Sequence, residues 1–155
     1  MSDSIASRLE SLGIELPVPA APAANYLPFR QSGNLLYISG QLPFGAGGLT
    51  HQGKLGSEVS VEEGQKAARQ CAINVLAQAS QALGGDLERI RQVVRITGFV
   101  AAPPEFTNHH VVVNGASDFL VDVLGERGKH ARAAVGMAAL PLDASVEVDA
   151  IIEVE

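Results

Sequence analysis

The sequence has few of the residues that crosslink chains or bind metals, and it has no segment that could span a membrane. It contains 155 residues, one cysteine, no tryptophan and only 5% aromatic residues. The single Cys71 excludes an intrachain disulfide and a cysteine metal cluster. No apolar run approaches the roughly 20 residues that cross a bilayer, and the polar N-terminus MSDSIASRLE is unlike a signal peptide. These absences predict a cytoplasmic protein with no membrane partner and an aliphatic core.

Basic residues are also scarce. Lysine and arginine total 11 against 17 aspartate and glutamate, which gives a net charge of -6, and the basic residues are scattered along the chain. A nucleic-acid-binding protein normally concentrates positive charge on one surface. Nucleic acid is therefore not an expected partner. The length fits one domain that can bury a sizeable core.

The N-terminal third predicts short elements and loops. Ile5, Leu9 and Leu12 follow a Ser/Asp cap at helical spacing, so a short amphipathic helix is expected there. The proline-rich stretch ELPVPAAPAANY predicts an extended connector. Two β-rich runs flank Ser32-Gly33-Asn34, which we interpret as a three-residue hairpin turn, and the glycine-rich residues 44–57 predict a loop.

The remainder alternates long helices with strands. SVEEGQKAARQCAINVLAQASQALGG opens with Ser60 and Glu63 at capping-box spacing and ends at Gly84-Gly85, which predicts a long helix. RIRQVVRITGFVAA predicts a strand, and EFTNHHVVVNGASDFLVDVLG predicts a second long helix that ends before Gly125. ARAAVGMAA and SVEVDAIIEVE predict a closing strand pair around residues 140–144.

This order predicts an α+β fold in which two long helices cover one face of a mixed sheet. We expect the opposite face to carry alanine, glycine and valine with few charges. An uncovered apolar face indicates that the chain assembles into an oligomer.

One arginine stands out in this pattern. Arg132 heads a run of small residues, and a guanidinium keeps its charge at any physiological pH. It is therefore either a residue on the rim of the structure or a receptor for an anion. The adjacent His109 and His110 lack metal-ligand spacing, and no metal site is predicted.

Two motifs in the same order resemble those of the Rid (reactive intermediate deaminase) family, also called YjgF-like and formerly the L-PSP endoribonuclease family. They are GNLLYISGQLP and ARAAVGMAALPLDASVEVDAIIEV, and the middle helix and strand are also similar. The resemblance covers residues 26–155. Residues 1–25, a short helix and a proline-rich connector, form an N-terminal extension that suggests a longer, less characterised branch.

The resemblance implies a chorismate-mutase-like fold assembled as a homotrimer with barrel-like packed sheets. It also implies a pocket for a small carboxylate at each subunit interface. Relatives of this kind hydrolyse reactive 2-imino acids to 2-keto acids and ammonia without a cofactor. A trimer that binds a carboxylate without turnover, as a regulatory protein, is the alternative. Ribonuclease activity, which the older family name suggests, conflicts with the acidic composition.

The resemblance also assigns roles to individual residues. Arg132 would grip the substrate carboxylate and Glu147 would orient water, while the remaining pocket residues are Tyr26, Ser39, Gly40 and Asn114. Besides Arg132, three of these residues also have plainer explanations. Glu147 could lie on the solvent face of a strand, Gly40 could simply end a strand, and Tyr26 could pack at an interface.

The chain departs from the family pattern at two positions near Arg132. Ala134 stands where relatives have a cysteine, and His130 stands where they typically have a proline. His130 is either a loop histidine or, if the strand starts early, a proton carrier on the same strand face as Arg132.

Overall fold

The computed structural model describes residues 3–19 and 24–155 of the chain. The predicted N-terminal extension is described except for residues 1, 2 and 20–23, which lie outside those ranges. The helices are α1 (Ile5–Ser11), α2 (Val61–Ala82) and α3 (His109–Leu124). The strands are β1 (Phe29–Ser32), β2 (Leu35–Gln41), β3 (Phe44–Gly45), β4 (Gly48–Leu49), β5 (Ile90–Ala101), β6 (Ala131–Met137) and β7 (Val146–Val154).

Five of these strands form a mixed sheet in the order β1-β2-β7-β5-β6. Only the β5–β6 pair is parallel, and α3 makes the crossover between those two strands. Along β7 every second side chain, from Val146 to Val154, is buried against the helices. The predicted α+β fold, with a mixed sheet and two long helices, is confirmed.

The predicted closing strand pair is wrong. β6 and β7 do not pair: β7 lies between β2 and β5, and β6 forms the sheet edge beside β5. The connection between them contains a short helical turn, Pro141–Asp143, with Leu142 and Asp143 at φ of 59° and 60°. Proximity in sequence favours a hairpin, but the apolar alternation of β7 suits a central strand bonded on both edges.

The length of the first turn and the start of the second long helix also differ from the prediction. Ser32 pairs with Leu35, so the β1–β2 turn has two residues, and Gly33 adopts φ of 60°. The second long helix begins at His109, so Phe106 lies before it and contacts the His109 ring edge-on. By contrast, α2 begins where expected, since the Ser60 hydroxyl accepts a hydrogen bond from the Glu63 N–H.

The uncovered face of the sheet is more polar than predicted. Arg95 and Asp149 lie there beside Tyr37 and Ile151, and together they line one small cavity. The alternation along β5 and β7 sends their aliphatic residues to the helix side, so the other side receives the charged positions. This face is mixed, with aromatic and aliphatic side chains between the charges.

The core is aliphatic and includes the N-terminal helix. Ile5 and Leu9 of α1 are 1% and 7% exposed and belong to the same cluster as α2, α3 and the sheet. α2 and α3 touch closely at Gly115, where a Cβ atom would meet the backbone of Gln65. None of the described helices is both long and apolar enough to cross a membrane.

Candidate functional site

Arg132 is held by one side of α3. Its Nη1 donates to the Asn114 Oδ1 at 2.9 Å and to the Ser117 Oγ at 3.1 Å, and its Nη2 donates to the backbone carbonyl of His110 at 3.3 Å. Residues 110, 114 and 117 lie on one stripe of the helix because they are spaced by four and three. The structure therefore brings Arg132 and Asn114 together.

The guanidinium of Arg132 has no acidic partner in the part of the chain that the structure describes. Among residues 3–19 and 24–155 it forms no ion pair, and its three hydrogen bonds all go to neutral oxygen atoms. Among these residues Nη1 makes two of the bonds and Nη2 one, and the Nε–H makes none, so the guanidinium keeps donor capacity for a ligand. Nε and Nη2 form one edge of any guanidinium, and that edge can bind a carboxylate bidentately.

Gly40 and Glu147 form a second group. β2 is irregular between Ile38 and Gln41, and there the Ser39 hydroxyl donates to the Leu27 carbonyl at 2.7 Å. A Cβ atom on Gly40 would lie against the Glu147 carboxylate, only 2.8 Å from its Cδ. Partial burial, and then the charge of Asp149, raise the pKa of the Glu147 carboxyl. The absence of a side chain on Gly40 thus makes room for this carboxylate.

Tyr26 belongs with this second group. It is 61% exposed and lines a cavity of about 470 Å³ together with Gly40. The connector that contains Pro17 and Pro19 forms another wall of this cavity, and Gln78 of α2 contributes to it as well. The connector therefore reaches the neighbourhood of Gly40.

The two groups lie on opposite faces of the sheet. Arg132 is aligned with Ile96, which is buried beneath the helices, whereas Glu147 is aligned with Phe99. Positions 96 and 99 differ by an odd number, so their side chains point to opposite sides. β6 is also three strands away from β2, roughly 14 Å at the usual strand spacing. A single chain does not bring Arg132 next to Gly40 or Glu147.

Two more residues lie beside Arg132: Ser117, which was not predicted from the sequence, and His130, which was predicted as either a loop histidine or a proton carrier. The Ser117 hydroxyl lies 2.8 Å from the Nε2 of His130, whose Nδ1 lies 2.6 Å from the Gly128 carbonyl oxygen. The spacing of Ser117 from Asn114 would have placed both on one helix face. His130 precedes β6, which starts at Ala131, so it is a loop histidine by position.

Ala134, where the family resemblance implies a cysteine, is a packing residue. It is aligned with Gly98 and packs, partly buried, against the core. The only cysteine, Cys71, is buried in α2, and that burial raises the pKa of its thiol well above the ordinary value. Neither position presents a thiolate to a ligand. The described residues contain no cluster of three or more metal-ligating side chains.

A mixed sheet with two long helices on one face defines an α+β fold. In this chain an arginine of the sheet edge is anchored on the second of those helices. The family model described as "YjgF/chorismate_mutase-like, putative endoribonuclease" matches residues 6–154, and the chain belongs to that family. The matched segment begins within α1.

Similar proteins come from distant organisms. The chain is 50% identical to Protein TCP17 of Trypanosoma cruzi over 98% of this chain and 95% of that one. The Atu1372 crystal structure from Agrobacterium tumefaciens is 56% identical, covers 97% of this chain and 92% of its own, and has a TM-score of 0.92. A structure from Shewanella oneidensis is 37% identical, with coverages of 97% and 99% and a TM-score of 0.93.

A more distant member has a bound ligand. E. coli TdcF, solved with bound serine, is 22% identical, covers 89% of this chain and 94% of its own, and has a TM-score of 0.62. At that identity the likeness establishes the shared fold.

Proposed function

We propose that the protein hydrolyses small reactive 2-imino acids to 2-keto acids and ammonia, in pockets between the subunits of a homotrimer. The observation that carries this proposal is the guanidinium of Arg132, which three neutral acceptors hold while its Nε–H makes no hydrogen bond among the described residues. A permanent positive charge that is held in place without being neutralised suits the carboxylate that every such substrate carries.

The chemistry requires orientation more than a strong nucleophile. With the carboxylate on Arg132, water adds to the C=N carbon and its proton passes to the nitrogen. The carbon then carries a hydroxyl and an amino group. The hydroxyl proton moves to that nitrogen as the C–N bond breaks, which releases ammonia and leaves the C=O of a keto acid. Glu147 is suited to accept and return the proton, because its raised pKa lies closer to neutrality than that of an ordinary glutamate. The backbone beside Gly40, together with Ser39, would line the imine end.

A second copy of the chain supplies the missing half of this pocket. Arg132 and Glu147 face opposite sides of one sheet, so a ligand that touches both must lie between subunits. β6 is an edge strand, and the uncovered face carries Tyr37, Val135 and Met137 with 44%, 39% and 37% exposure. Apolar groups on an open face and an unpaired edge favour association. We propose that Tyr26 and Asn114 complete the binding surface.

The bound serine in TdcF supports a small carboxylate as the ligand class. One observation favours the alternative, a trimer that binds a carboxylate without turnover: Ala134 is apolar and packed where relatives have a cysteine. Ribonuclease activity has less support, because the net charge is -6.

A coupled assay tests the proposal. A lyase generates 2-iminobutanoate in situ, semicarbazide competes for it, and release of the keto acid is followed with wild type and Arg132→Ala. We expect wild type to accelerate release, and Arg132→Ala to lose at least about 100-fold in kcat/KM, since two charge-assisted hydrogen bonds disappear. Arg91→Ala, an exposed arginine paired with Glu155, is the matched control and should retain activity.

Three results separate the hypotheses. Equal activity in Arg132→Ala and wild type contradicts the role of the arginine. No acceleration by a folded wild-type trimer contradicts the deaminase and leaves the carboxylate-binding alternative. A monomer in sedimentation velocity contradicts the composite pocket itself.

A further inference from the structure

Resting on the proposed carboxylate role of Arg132, we propose that Ser117 and His130 are positioning residues. They form a directed hydrogen-bond chain that fixes the guanidinium and leaves its Nε–H available for the ligand. The chain runs from the Gly128 carbonyl through His130 and Ser117 to Arg132.

Chemistry fixes the direction of every bond in this chain. A carbonyl oxygen only accepts, so the contact at 2.6 Å to Gly128 places the proton of a neutral His130 on Nδ1. Nε2 is then an acceptor, and the Ser117 hydroxyl donates to it at 2.8 Å. The lone pairs of Ser117 are left to receive the Arg132 Nη1–H at 3.1 Å.

The surroundings of His130 keep its ring neutral. Burial is the largest influence and lowers the pKa of His130, and the charge of Arg132 lowers it further, against the opposing effect of the Gly128 hydrogen bond. The groups that face the ring are Ser117 from α3, the Gly128 carbonyl from the preceding turn and Arg132 from β6. Arg132 is the charged group among them.

Protonation of His130 would disrupt the chain. Nε2 would become a donor, so Ser117 would face two N–H groups and its own proton would lose its acceptor. Two positive charges would also stand close to the same serine. Ligand affinity should therefore fall as acidification protonates His130, in wild type but not in variants whose chain is already broken.

Three variants test the hydrogen-bond chain from Gly128 to Arg132. Ser117→Ala removes the link, and Ser117→Thr retains a hydroxyl. His130→Asn keeps a donor for Gly128 but removes the Nε2 acceptor. Asp118→Ala, on the exposed neighbouring position of α3, is the matched control. The probe is 2-oxobutanoate, titrated by calorimetry between pH 5 and 8.

We expect Ser117→Ala and His130→Asn to bind 2-oxobutanoate about tenfold more weakly, as the loss of one hydrogen bond to a charged group predicts. Ser117→Thr should recover most of the affinity, and Asp118→Ala should bind as wild type does. The decline of affinity in acid should be present in wild type and absent in Ser117→Ala.

NMR tests the chain without turnover. ¹⁵N spectra should show the Nδ1–H tautomer of His130 and hindered rotation of the Arg132 guanidinium, with faster rotation in Ser117→Ala. An Nε2–H tautomer, or unchanged affinity and rotation in Ser117→Ala, overturns the inference. If the protein shows these signatures but has no deaminase activity, the hydrogen-bond chain is supported and the proposed function is contradicted. Turnover without these signatures supports the proposed function and overturns the hydrogen-bond chain.

Discussion

Replacing Gly115 by alanine would push α2 and α3 apart at a point where the helices are in close contact. The added Cβ would lie against the carbonyl oxygen of Gln65, 2.7 Å from its carbonyl carbon and 2.9 Å from its Cα. Carbon atoms normally approach to about 3.5–4.0 Å. The obstacle is helix backbone, which cannot rotate aside, so the helices must separate by about 1 Å.

The structure sets the size of the effect. Overpacking of a tight core contact costs about 1–3 kcal/mol. Alanine in place of glycine in a helix returns about 0.5–1 kcal/mol, so the net loss should centre on about 1 kcal/mol and not exceed about 2.5 kcal/mol. The same displacement moves the neighbouring Asn114 and Ser117, which hold Arg132. Affinity for a small keto acid should therefore fall together with stability.

Urea unfolding followed by circular dichroism measures the loss. Gly47→Ala is the control, because a Cβ there meets no atom within 4 Å. We expect that control to lie within about 0.5 kcal/mol of wild type, as surface substitutions usually do. A Gly115→Ala protein as stable as the control would refute the close-packed helix contact as the reason for this glycine.

Three further predictions concern buried or half-buried groups. Gly40→Ala should leave the fold intact but displace the flexible Glu147 side chain, so that deaminase activity falls while the unfolding midpoint stays within a few degrees. Glu147→Gln should be more stable than wild type at pH 7. The raised pKa means that the native state holds this proton more tightly than the unfolded state, so wild-type stability falls as pH rises above about 4.5 and through that pKa. Equal stability of the two proteins across pH 4–8 would contradict this. Cys71 should react with a thiol reagent only after unfolding, because it is fully buried.

Local signals predicted the helices well. Ser60 caps α2 as expected, and Gly84 and Gly85 end that helix region with φ of 64° and 91°. Gly125 likewise ends α3 with φ of 63°. Such features depend on a few neighbouring residues, so periodicity and capping chemistry are sufficient to locate them.

Strand pairing depends on contacts that are distant in sequence. β6 and β7 are neighbours along the chain, yet each pairs with β5 on a different edge. That arrangement decides which face each side chain takes, and it separates Arg132 from Glu147. The sequence alone left the register open, because a shift of one residue reverses every side chain.

The arginine at the head of β6 differs from three other arginines of the described residues in the kind of partner it has. Arg8, Arg91 and Arg127 each form an ion pair with a carboxylate. Arg132 is held by an amide oxygen, a hydroxyl and a carbonyl, none of which carries charge. A carboxylate in their place would neutralise the guanidinium and compete with an incoming anion. Neutral acceptors fix its geometry while leaving its full charge for the ligand, and this is the condition that an anion receptor must satisfy.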